Sequence, residues 1–196
     1  MTGRVHRSTP AAITLIVLTI TLSGCGSDTP GYNLELTDAA MALDEGDVIL
    51  TVPWSERLVS RDPTPGTPPV VVRGLGFASA GGVDRIVFEF IDTNLFPGYR
   101  VMLGDTLPEP CDARPRPIEM SGSRYLVIEI EPAVLQGDVP AQVTGPVEDM
   151  DLPHMKQGVL ACAADGRFVW AVGLDGATAV RVRELRKPAR LSVEVR

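Results

Sequence analysis

The strongest constraint on the fold is a hydrophobic pattern of period two. Ile86, Phe88 and Phe90 alternate with Arg85, Val87 and Glu89, which puts three large apolar side chains on one face of an extended strand. Leu126, Ile128 and Ile130 stand in the same relation to Tyr125, Val127 and Glu129. So do Leu191, Val193 and Val195 to Arg190, Ser192, Glu194 and Arg196. After residue 60 no apolar stripe of helical spacing runs for about ten residues. The pattern predicts an all-β domain, an antiparallel β-sandwich or a partly open barrel.

Residues 167–174 sharpen this. Phe168, Trp170, Val172 and Leu174 share one face, while Val169, Ala171 and Gly173 on the other are small but still apolar. A strand apolar on both sides is covered on both sides. Trp170 is therefore expected in the core rather than stacked on a ligand. Asp165-Gly166 and Asp175-Gly176 carry turn chemistry, so the strand is expected in the middle of a meander between residues 159–163 and 179–185. Upstream, residues 48–52 form a short strand candidate. Residues 61–69 then hold four prolines and a glycine, which oppose helix and ladder pairing alike. This segment is expected to mark the domain boundary.

The N-terminus reads as an export signal. Arg4 and Arg7 precede an uncharged stretch, residues 11–22, which runs into Leu22, Ser23, Gly24 and Cys25. A leucine, two small residues and a cysteine form the lipobox recognised by lipoprotein signal peptidase. The apolar stretch is too short for a spanning helix, which needs about 20 residues to cross ~30 Å of hydrocarbon. Cleavage before Cys25 and diacylglycerol on its sulfur would leave the chain lipid-anchored on the extracytoplasmic face of the cell membrane. The expected organisation is a signal peptide over residues 1–24 and a domain over residues 69–196. Between them, residues 25–68 would be a lipidated, flexible, acidic and proline-rich tether with one short strand.

Loss of the signal would remove two arginines and no acid, taking the net charge from −7 to −9, a poor balance for nucleic acid. The last sixteen residues run the other way. Arg181, Arg183, Arg186, Lys187, Arg190 and Arg196 face only Glu184 and Glu194 there. Two readings of this tail are open: a basic stripe for anionic envelope material, with Arg181 and Arg183 as candidate contacts, or a solvated face of edge strands. Tyr99 is a further candidate contact. With Cys25 committed to lipid, Cys111 and Cys162 remain, and an even pair in an exported chain predicts a disulfide. The alternative is two separately buried cysteines.

Catalytic signatures are sparse. His154 is the single histidine beyond the signal segment, which removes most hydrolase designs, and neither a Gly-x-Ser-x-Gly elbow nor a His-Glu-x-x-His motif occurs. Gly74-Leu75-Gly76 lacks the third glycine and the helix of a dinucleotide loop. Glu148, Asp149 and Asp151 lack the oxygen spacing of a calcium loop and read as a solvated acidic loop. No catalytic residue, metal site or cofactor is assigned.

Four blocks, in order, carry a family likeness: residues 84–90, 97–101, 168–175 and 188–195. Together they resemble the AMIN-like domain of actinobacterial lipoproteins over about residues 69–196. The AMIN domain proper resembles a β-sandwich that brings wall amidases and secretion proteins to the envelope by holding peptidoglycan. Val83 departs from the aromatic usual before Asp84 and Arg85, and no amidase domain follows, so a targeting role would serve this chain itself or a separate partner. Asp84 and Arg85 match the family's most recognisable pair, read here as a turn and an ion pair at the start of a strand. The resemblance implies a non-catalytic envelope lipoprotein binding peptidoglycan or an associated wall component. The alternative is a lipoprotein presenting a sheet edge or loop to a membrane or envelope protein. An enzyme using clustered carboxylates is the third reading. Oligomeric state is left open.

Overall fold

The computed structural model describes residues 35–36, 45–91, 93–111, 117–135 and 148–196. Leu22, Ser23, Gly24 and Cys25 lie outside them, as do residues 25–34 and 37–44 of the expected tether. Among the described residues thirteen strands make two sheets. The first sheet runs β1 (Glu35–Leu36), β4 (Val70–Ala80), β5 (Val83–Ile91), β13 (Arg190–Val195), β12 (Val180–Leu185), β2 (Val48–Thr51), with β8 (Ala133–Leu135) also beside β4. The second runs β3 (Leu58–Arg61), β6 (Gly98–Gly104), β7 (Arg124–Glu131), β11 (Arg167–Leu174), β10 (Met155–Ala164), β9 (Glu148–Asp149). Pairing is antiparallel except where β1 and β8 join β4. The architecture is a β-sandwich and not a closed barrel.

The period-two faces meet as the sequence requires. Ile86, Phe88, Leu191, Val193 and Val195 of the first sheet pack on Leu126, Ile128, Ile130, Phe168, Trp170 and Val172 of the second, all essentially without solvent exposure. Phe88 meets Phe168 edge-on across the interface at 5.6 Å between ring centroids. Such offset aromatic contacts add to the burial of apolar area. Asp84 also points inward, although carboxylates seldom do: its Oδ2 accepts from the backbone N–H of His154 at 2.5 Å and of Met155 at 2.9 Å. The expected ion pair with Arg85 does not form. Asp84 instead ties β5 of one sheet to the start of β10 in the other.

A second, smaller core lies on the outer face of the second sheet, where Val127, Ala161, Cys162 and Val169 pack with Met102 and Ile118. Ile118, from the connection between β6 and β7, packs on it, and a disulfide joins Cys111 of the same connection to Cys162. This explains why β11 is apolar on both faces. It also explains Gly173: a Cβ there would fall 1.7 Å from the carbonyl oxygen of Ser121, so only a bare backbone lets the covering segment approach.

Two expectations are corrected by topology. Asp165 and Gly166 form the β10–β11 turn with positive φ of 54° and 76°, but β11 pairs on its other side with β7. After Gly176 the chain crosses to the first sheet, so β12 joins β13 and β2. Strand periodicity fixes a face and leaves the neighbour open. The proline segment is likewise no divide between tether and domain. Strands on both sides of it belong to the sandwich, β2 and β3 being the last strand of each sheet. Thr64 N–H donates to Phe96 O at 3.1 Å, and Val70 N–H to Pro132 O at 3.0 Å, so the prolines pack over the strand ends. A Cβ on Gly98 would meet Pro63 Cδ at 2.8 Å.

Candidate functional site

The basic tail folds into the sheet rather than onto its surface. β13 lies inside the first sheet and β12 is flanked by β13 and β2, so neither is an edge strand. Glu194, fully buried on the outer face, receives Arg181 Nε at 2.7 Å and a second bond from Arg181 Nη2, with Arg183 Nη1 at 3.6 Å. Arg183 also pairs with Glu45, and Arg190 lies 3.7 Å from Asp47, both from the 3-10 turn Glu45–Asp47. Burial works against the charge of Arg183, but its hydrogen bond to Glu45 and the Glu194 carboxylate hold its pKa above the ordinary arginine value. Arg183 in turn holds Glu45 below the usual carboxylate range. Arg181 and Arg196 each lie over the Trp54 ring, at 4.6 and 4.4 Å from its centroid. The proposed contacts Arg181 and Arg183 are thus engaged internally.

Tyr99 is also internal, 2 % exposed on the inward face of β6. Its hydroxyl donates to Glu184 Oε1 at 3.1 Å across the gap between the sheets, and Arg61 Nη1 bonds Oε2 of the same carboxylate. Glu184 is fully buried, whereas the Arg61 side chain remains 38 % exposed. Burial raises the Tyr99 pKa well above the ordinary phenol value, and the nearby Glu184 charge adds to it. The hydroxyl therefore stays a donor through the neutral range. The hydrogen bond to Glu184 likewise raises the Arg61 pKa.

Two cavities open around this trio. One, about 530 Å³, lies between the last strands of the two sheets, with Arg61, Glu184 and Arg186 beside Thr64 and Asn94 and an apolar wall that includes Leu95. The other, about 370 Å³, has Arg61, Tyr99 and Arg100 facing Asp62, Glu129 and Glu131. Arg61 lines both. His154 lies elsewhere, its Nδ1 3.2 Å from Asp175 O in a loop. Asp149 accepts from Gln157 Nε2 at 2.8 Å. Trp170 is fully buried, as its strand neighbours require.

Sequence reading named Arg186 and Glu184 only as members of the basic tail and gave Arg61 no role. A signal for Glu184 exists: it continues the inward register of Val180 and Val182, and a carboxylate in an apolar register needs a partner from elsewhere. Arg61 has no local signal, since its partner stands 123 positions away.

Two sheets packed face to face, with one polar trio set between them beside an open-sided cleft, define an antiparallel β-sandwich module. The family model of the AMIN-like domain matches residues 70–196, and the chain belongs to that family. No curated protein and no solved structure matches it. Ile49, Arg61 and Thr64 precede the matched residues, so the cleft is built partly from sequence outside the family match.

Proposed function

We propose that this chain is a non-catalytic envelope module whose β domain binds peptidoglycan or an associated wall component. In this reading it is held outside the cytoplasmic membrane by a diacylglycerol on Cys25. The family match over residues 70–196 carries the wall-binding part. The buried carboxylates support a role in binding rather than in proton transfer. Asp84, Glu184 and Glu194 each accept internal hydrogen bonds, which a general acid or base would have to release. The lipobox sequence supports the anchor.

Full-length chain in detergent, mixed with purified cell wall and centrifuged, should sediment with the wall at moderate salt. Recovery of the chain in the supernatant would end the wall-binding reading. For the anchor, Cys25→Ala should release the chain from the membrane fraction of cells, and a variant that stays there would show attachment by other means.

A further inference from the structure

Arg61 is held by the buried Glu184, with the Tyr99 hydroxyl close by. Glu184 takes its Nη1, and no second carboxylate among the described residues pairs with it. A buried carboxylate that fixes a guanidinium in this way sets its plane and rotamer in advance. Little freedom is then lost when another group meets the remaining edge. Arg61 lines the 530 Å³ cavity, a volume within the range of about 300–1,000 Å³ that holds small ligands. Arg186, an exposed side chain, lines the same cavity.

The charge there runs against the rest of the molecule. Arg61 and Arg186 less Glu184 leave the cleft one unit positive, in a chain of net charge −7. The rest of its lining is suited to a peptide: Asn94 and Thr64 offer amide and hydroxyl groups, and Ile49 and Leu95 are exposed apolar side chains, 42 % and 37 % accessible. Ile49 belongs to β2, which ends its sheet.

We infer that this cleft binds the free carboxylate of a short peptide, with Arg61 and Arg186 as the contacts that recognise it. Building on the wall-binding reading, the occupant is the carboxylate-bearing stem peptide of peptidoglycan. The planar fork of Arg61 matches a carboxylate through two parallel N–H bonds, and Glu184 prevents the arginine from folding back to water. The apolar wall takes the short alkyl side chains, and Asn94 and Thr64 meet the peptide amides.

Calorimetry on the full-length chain in detergent tests this with three probes: a pentapeptide stem with free carboxylates, its fully amidated counterpart, and inorganic phosphate. The free acid should bind, and amidation should weaken binding roughly tenfold or more, since hydrogen bonds to a charged group are lost. Arg186→Gln should weaken it by roughly tenfold with unchanged melting, because that side chain makes no ion pair among the described residues. Arg61→Lys, which keeps charge but loses the fork, should also bind more weakly. Equal binding of acid and amide would overturn the inference, as would wild-type affinity in both variants. Phosphate binding more tightly than the peptide would overturn it too, by showing a phosphate site. If the chain sediments with wall but does not bind the stem peptide, the cleft assignment fails and the wall reading stands. Peptide binding that Arg186→Gln weakens, without wall sedimentation, has the reverse meaning.

Discussion

Glu184 and Glu194 sit on neighbouring strands, are equally inaccessible and are both paired with arginine, yet they face opposite ways. Glu194 looks out from the first sheet, where Arg181 and Arg183 both pair with it and Arg183 pairs in addition with Glu45. Glu184 looks inward, where Tyr99 and one half-exposed arginine meet it beside an open cavity. The first arrangement neutralises a basic tail that must pass through the middle of a sheet. In the second, a buried carboxylate positions an accessible guanidinium. A buried ion pair is weak evidence for stability in itself, and the environment of its cation decides what it does.

Four substitutions would break or sharpen this contrast. The largest loss should follow Glu194→Ala, which strands the nearly buried Arg183 beside Arg181. Removing one partner of a buried pair costs about 3–5 kcal/mol, to be read as a fall in the urea midpoint with unchanged slope. Glu184→Ala should lose less, about 2–3 kcal/mol, because Arg61 can turn to water. A larger loss for Glu184→Ala than for Glu194→Ala would reverse the comparison.

Tyr99→Phe should cost about 1.5 kcal/mol at neutral pH, the value of a hydrogen bond to a charged acceptor. Its pH dependence is more informative. The folded-state pKa of Tyr99 is raised, so its stabilising contribution is complete below the ordinary phenol value of about 10 and is lost as pH climbs through the raised folded value. Between roughly pH 9 and pH 11 the native chain should lose more stability than the Tyr99→Phe chain, and matched urea melts at the two pH values would show it. Parallel loss in both would mean that Tyr99 ionises as freely folded as unfolded.

The smallest effect is expected from Glu45→Gln. Its carboxylate is 77 % exposed, and pairs with so much water around them contribute under about 1 kcal/mol. The same melt should shift little, and added salt should remove the difference. A shift as large as that of Glu194→Ala would show that Glu45, and not Glu194, neutralises Arg183.

Much of the fold was legible before the structure. Alternation located the cores of β5, β7, β11 and β13, the double-sided apolar character of β11 anticipated a second covering layer, and Cys111 and Cys162 were paired correctly. The site was far less legible. Arg181, Arg183 and Tyr99 attracted attention as charged or aromatic residues, but their carboxylate partners lie on other elements, and sequence does not show which charges neutralise each other. Arg61 was hidden in a segment read as a linker, because prolines oppose ladder pairing but do not prevent packing against strand ends.

By itself the sequence determined which side chains face which way along each strand and where the chain can turn. Those properties follow from backbone geometry and near neighbours, within a few residues. Tertiary structure alone decided that β12 leaves the meander for the opposite sheet, that Asp84 clamps a distant backbone, and that Glu184 meets Arg61 and Tyr99 between the sheets. Each is a choice of partner across long stretches of chain. It is settled by the burial of whole faces together, since a desolvated carboxylate must find its donors wherever the packed sheets bring them.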